Sequence, residues 1–140
     1  MPHVSEPDLS TVRHIHCIAV AGVGMATLAA MLKAQGYLVT GSDRGIYPPM
    51  SDFLAQADIQ VIQGYQAENL HPRPDLVVVG NAVSRTNLEV EALLKTDISY
   101  LSFPQAVGYF FLAGKRSLVV AGTHGKTTST AMLAWVLEQA

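Results

Sequence analysis

Short apolar runs alternate with longer segments of helical period along most of this 140-residue chain. That alternation predicts a parallel sheet covered by helices. "HIHCIAVAG" (14–22) predicts a first strand, "GMATLAAMLKAQG" (24–36) a helix closed by Gly36, and "YLVTGSD" (37–43) a second strand. "MSDFLAQA" (50–57) predicts a short helix capped by Ser51 or Asp52, and "IQVIQG" (59–64) a third strand. "LVVVGNA" (76–82) is apolar without a break at its start, which predicts a strand buried on both faces. "NLEVEALLKT" (87–96) predicts a helix capped by Asn87, "ISYLS" a fifth strand, and "FPQAVGYFFLAG" (103–114) a last helix with Pro104 in its first turn.

The expected fold is therefore α/β, a Rossmann-like doubly wound parallel sheet over residues 14–113, preceded by a loose polar arm at 1–13. At Arg116 the pattern starts again. "RSLVVAGTHGKTTSTAMLAWVLEQA" predicts the opening strand, P-loop and helix of a second α/β ATPase domain, occupying 114–140. Its helix is apolar nearly all round, at Met132, Leu133, Trp135, Val136 and Leu137, and reaches Ala140 without a glycine or proline stop. Such a helix expects partners on several sides, so the chain is expected to be the front part of a longer protein.

Composition narrows the ligand rather than the fold. With 49% hydrophobic and 14% charged residues the body is globular, and a net charge of −2 with nine scattered Lys and Arg leaves no basic stripe for nucleic acid or an anionic membrane. Any bound phosphate must be held locally, by loops and a few cations. The single cysteine, Cys17, reads as a small buried hydrophobe and has no intrachain disulfide partner. The uncharged stretch from Cys17 to Leu32 is too short to span a membrane and is broken by Gly22 and Gly24, so the expected location is cytoplasmic.

Two glycine loops carry the candidate chemistry. Gly22 and Gly24 fall directly after a predicted strand and at the start of a helix, where backbone amides approach a pyrophosphate. The third glycine of the dinucleotide fingerprint is replaced by Thr27, so the loop alone also suits a plain tight turn. Asp43, roughly 20 residues after Gly24, closes the second strand where a carboxylate accepts from a ribose. The second loop, "GTHGKTT", keeps the essentials of a P-loop: Gly122 and Gly125 free the backbone, Lys126 reaches the β and γ phosphates, and Thr127 offers a hydroxyl to Mg²⁺. Val120 stands where the usual pattern has its first glycine. Two such loops point to two phosphorylated ligands. His14 and His16 share a strand face at period two; without a third ligand they read as strand-edge histidines rather than a metal site.

"AGTHGKTT", the GVGM loop, "GSD", "GY" at 64–65 and "GNAV" at 80–83 occur in an order and spacing that resemble the Mur ligases. These enzymes add amino acids or peptides to UDP-N-acetylmuramate in peptidoglycan synthesis. "YPPMS", "VGNA" and "PQ" resemble the branch that recycles the tripeptide L-alanyl-γ-D-glutamyl-meso-diaminopimelate, whereas "GVGMATLA" is nearer to the branch that adds L-alanine. The resemblance implies a first domain for the UDP sugar and a central ATPase using ATP and Mg²⁺. It implies that Gly22, Val23, Gly24 and Met25 hold the diphosphate, Ser42 and Asp43 the uridine end, and Asn81 and Ala82 the sugar nucleotide. It further implies that Gly122, Thr123, His124, Gly125, Lys126, Thr127 and Thr128 bind ATP, with Lys126 and Thr127 assisting phosphoryl transfer and Thr127 on the metal. A nucleotide-sensing module without chemistry, or a complete UDP-sugar-binding protein, are the rival readings of the first loop.

Overall fold

A computed structural model describes residues 7–140, so the first six residues of the predicted arm lie outside the described residues. Five strands form one sheet: β1 (His14–Ile18), β2 (Leu38–Asp43), β3 (Gln60–Gln63), β4 (Leu76–Val79) and β5 (Ser99–Ser102). Their order is β3-β2-β1-β4-β5 and every pairing is parallel. Between them run the helices α1 (Val23–Ala34), α2 (Met50–Gln56) and α3 (Leu88–Leu93), with a 3₁₀ turn at Ala67–Leu70, and α4 (Phe103–Val107) follows β5. The doubly wound parallel sheet expected from the apolar pattern is the architecture found.

Parallel strands covered on both sides must be apolar on both sides, and β4 shows it. Leu76 and Val78 belong to the core packed under α1, while Val77 joins Leu70, Val90, Leu93 and Ile98 on the other face. The described part of the arm is fastened rather than loose. Val12 is buried, and the backbone amides of Arg13 and His14 both donate to Asp75, at 2.9 and 2.8 Å. These bonds hold the Asp75 carboxyl below its usual range.

Four local expectations need correction. β1 stops at Ile18, because the chain turns out of the sheet at Ala19, whose φ is +66°. α2 is entered from Pro49 with no side-chain cap; Ser51 instead turns its hydroxyl to Asp52, 3.3 Å away. The last helix stays α-helical only through Val107 and widens into a π turn at Gly108–Leu112, where Phe110 meets Tyr37 edge-on at 5.4 Å. The strand predicted to open the segment that begins at Arg116 is not formed, since a strand exists only by pairing and no sheet edge meets it among the described residues. The helix after it, α5 (Lys126–Gln139), is present, and Trp135, Met132, Val136 and Leu137 on it are exposed. Asn87 caps α3 as expected, its Oδ1 accepting from the amides of Glu89 and Val90.

Gly41 in β2 lies under the fully buried Val20 of the first loop. A Cβ built at Gly41 would sit 2.6 Å from Val20 Cγ1 and 2.7 Å from its Cβ. Overpacking of this kind costs about 1–3 kcal/mol. Gly41→Ala is expected to lower the thermal midpoint accordingly in a melting experiment, and an unchanged midpoint would mean that the loop moves aside freely.

Candidate functional site

In open parallel sheets the crevice forms at the carboxyl ends of the strands, where the strand order reverses. Here the reversal lies between β1 and β4. The loop after β1 (residues 19–22) therefore faces the loop after β4 (residues 80–83). They touch: a Cβ on Gly80 would lie 3.2 Å from both Ala19 Cβ and the Ile18 carbonyl. The space that a side chain would fill at Gly80 is taken by the neighbouring loop.

The first loop is held open by "GSD". The Ser42 carbonyl accepts the amides of both Ala19 (2.8 Å) and Val20 (3.1 Å), and Asp43 Oδ2 accepts the amide of Ala21 (2.9 Å). Three successive donors are thus consumed by β2. The amides of Val23, Gly24 and Met25 precede the first intrahelical bond of α1, from Ala26 N–H to the Gly22 carbonyl (2.8 Å), and have no acceptor within the helix. They are the donors an anion would meet at this helix N-terminus. Thr27, where the fingerprint has glycine, turns its hydroxyl back onto the Val23 carbonyl at 2.8 Å. Gly24 faces the Phe103 ring, 3.3 Å from where its Cβ would stand.

The sequence-selected residues do not all face the crevice. Asp43 is half-buried and its second oxygen accepts the Gly45 amide at 3.1 Å, so much of its hydrogen-bonding capacity serves the loop. Ser42 is fully buried, its hydroxyl donating to Glu89 Oε1 at 2.9 Å, which places it behind the wall rather than on it. Asn81 and Ala82 are exposed at the tip after β4. Asn81 borders a cavity of about 500 Å³ with Gly80, Val83 and Tyr100, and Ala82 borders one of about 240 Å³ with Arg44, Tyr65 and Thr86. In the smaller cavity the Arg44 guanidinium stands 5.5 Å over the Tyr65 ring. Burial, and then the Asp43 carboxylate, push the Tyr65 phenol above its usual range.

Sequence reasoning missed a buried polar cluster behind this wall. The histidines are not at a strand edge, because β1 is the central strand; His16 is fully buried. His16 Nε2 pairs with Glu89 Oε1 (2.7 Å) and His16 Nδ1 with Thr40 Oγ1 (2.7 Å), which also meets His14 Nε2 (2.9 Å). Asn69 donates to Glu89 Oε2 (2.8 Å) and to the Gly64 carbonyl (2.9 Å). Desolvation, followed by the nearby His16, lowers the His14 pKa. A hint was available: Glu89 lies two residues after the cap of a short helix, on the face that Val90 and Leu93 bury. Burial also raises the Cys17 thiol to about 12, consistent with an inert core residue.

The second loop is exposed throughout. Gly125 caps α5 in the left-handed conformation (φ +74°), and Lys126 Nζ donates to the Gly122 carbonyl at 2.9 Å. Thr123, His124, Thr127 and Thr128 are exposed beside it. Glycine-freed backbone, a lysine and hydroxyls at a helix N-terminus are a donor set that fits a nucleotide triphosphate with its magnesium. Among the described residues no group of three or more His, Cys, Asp or Glu forms a metal cluster, and no helix is long and apolar enough to cross a membrane.

Comparison with known proteins identifies the family. The model of the Mur ligase family, catalytic domain, matches residues 14–114. A UDP-N-acetylmuramate--L-alanyl-gamma-D-glutamyl-meso-2,6-diaminoheptandioate ligase of Escherichia coli is 49% identical over 89% of this chain and 27% of its own length. A UDP-N-acetylmuramate--L-alanine ligase of Psychrobacter sp. is 34% identical over 96% of this chain and 28% of its own. Among solved structures, a murein peptide ligase from Psychrobacter arcticus superposes with a TM-score of 0.85 at 48% identity, covering 90% of this chain and 26% of that one. The chain thus spans about a quarter of the length of the relatives it matches. On its fold, its loops and these similarities, the chain belongs to the Mur ligase family.

Proposed function

We propose that this chain supplies the UDP-N-acetylmuramate site, within residues 14–113, and the ATP loop, within 114–140, of a cytoplasmic ATP-dependent ligase. The ligase would join UDP-N-acetylmuramate to L-alanyl-γ-D-glutamyl-meso-diaminopimelate in peptidoglycan recycling. The observation that carries the reading is the crevice itself: amides of Val23, Gly24 and Met25 at a helix N-terminus, directly across from the 80–83 loop. Tripeptide rather than L-alanine is supported by identities of 49% and 47% to the tripeptide ligases against 34–38% to the alanine ligases.

In this reading the α1 amides bind the diphosphate, Asp43 and Tyr65 flank the nucleoside, and Asn81 and Ala82 border the sugar. Asp43 shapes the loop as well, through Ala21. In the reaction proposed for the whole enzyme the γ-phosphoryl of ATP passes to the muramoyl carboxylate with release of ADP, and the peptide amine attacks the resulting acyl phosphate, forming the amide and releasing inorganic phosphate and a proton. Lys126 would hold the triphosphate by charge, and Thr127 would ligate Mg²⁺, which offsets negative charge on the phosphate oxygens.

Calorimetric titration tests the first half directly. Heat with UDP-N-acetylmuramate and none with NAD is the expected result; heat with NAD alone would make the first loop a dinucleotide sensor and overturn the assignment. In the full-length enzyme, ATP hydrolysis coupled to the tripeptide but not to L-alanine would be expected, and the reverse would move the chain to the alanine branch.

A further inference from the structure

We propose that Glu89 is a positioning residue for the sugar-nucleotide site, its single buried carboxylate fixing the strand-end loops that wall the crevice. This rests on the reading that the crevice holds UDP-N-acetylmuramate. Glu89 itself is 0% exposed and so acts only through other residues. Its Oε1 takes the Ser42 hydroxyl and His16 Nε2, and its Oε2 takes the Asn69 amide.

Two of these partners, and the Glu89 amide, lead to different walls. Ser42 carries on its carbonyl the Ala19 and Val20 amides, which open the loop before α1. Asn69 also holds the Gly64 carbonyl, and the Gly64 amide is bonded to the Asp43 carbonyl at 2.8 Å, which fixes the end of β2 against the end of β3. The Glu89 amide is bonded to Asn87 Oδ1 at 2.9 Å, where the loop after β4 closes. Two loops, the one before α1 and the one after β3, are thereby referred to one acceptor, and the loop after β4 is tied to the backbone of the same residue. A carboxylate suits this place because it only accepts, and all three side chains that reach it donate. Loops ordered in advance spare the ligand the cost of ordering them.

The test uses the full-length enzyme with Ser42→Ala and Glu89→Gln. Glutamine keeps the shape but presents its amide hydrogens to Asn69 or to Ser42 and His16, so one arm of the cluster fails whichever way it turns. With KM measured separately for each substrate, KM for UDP-N-acetylmuramate is expected to rise about tenfold in either variant. KM for ATP should stay unchanged, and the double variant should be no worse than Glu89→Gln alone. A lowered melting temperature with both KM values unchanged would reduce Glu89 to a structural residue and overturn the proposal. Should Glu89→Gln fail to fold, Ser42→Ala decides alone, because it leaves Glu89 two of its three donors. Calorimetry on the parent enzyme separates the two failures: no heat with UDP-N-acetylmuramate sinks the assignment of the crevice, whereas parent binding with unaffected variants sinks only the role of Glu89.

Discussion

Glu89→Ala is expected to destabilise the fold by about 3–5 kcal/mol, because each buried polar group left without a partner costs roughly 1–3 kcal/mol. The loss comes less from the carboxylate than from what it leaves behind. His16 Nε2, the Ser42 hydroxyl and one Asn69 N–H would each lose an acceptor in an interior where no buried side-chain nitrogen or oxygen among the described residues now lacks one. Domains of this size have about 5–15 kcal/mol in all, so the variant would be marginal at 37 °C. Urea denaturation of the variant beside the parent chain measures the difference. A loss below about 1 kcal/mol would mean that water enters and replaces the carboxylate.

Lys126→Ala in the full-length enzyme should reduce kcat by about a hundredfold or more while leaving UDP-N-acetylmuramate affinity unchanged. The two effects separate because the two loops open different helices, one α1 and one α5. Lys126 already lies along its own loop, on the Gly122 carbonyl, so its charge is placed where a triphosphate would displace it. Turnover within a few-fold of the parent would remove Lys126 from phosphoryl transfer. A parallel loss of sugar-nucleotide binding would show instead that the two loops are coupled.

The sheet was legible because burial on both faces leaves a plain mark: Leu76, Val77 and Val78 are apolar in succession and each is fully buried. Gly24 was legible for a similar reason, since a Cβ there would stand 3.3 Å from the Phe103 ring, whereas Gly22 was legible by its place between strand and helix and has room for a side chain. The polar cluster was not. His16, Thr40, Asn69 and Glu89 are far apart in sequence, and each taken singly looks like a surface residue; only the packing of α3 across β1 and β2 brings them together. The same holds for Ser42 and Asp43. The motif pointed to a ligand, and the structure shows both residues also spending hydrogen bonds on the loop. The expected strand before the second glycine loop failed for the opposite reason, because a short apolar run states a preference that only a neighbouring strand can satisfy.

The contact between Gly41 and Val20 has a consequence for how such a sequence can change. Positions 20 and 41 share one fixed volume, so neither has a size of its own that selection can act on separately. A methyl group gained at 41 has to be surrendered at 20, and the loop that Val20 anchors would shift with the exchange. Divergence at this pair should therefore proceed by compensated double steps, and a glycine inside a β-strand, ordinarily a weak choice, is here the record of a larger partner across the turn.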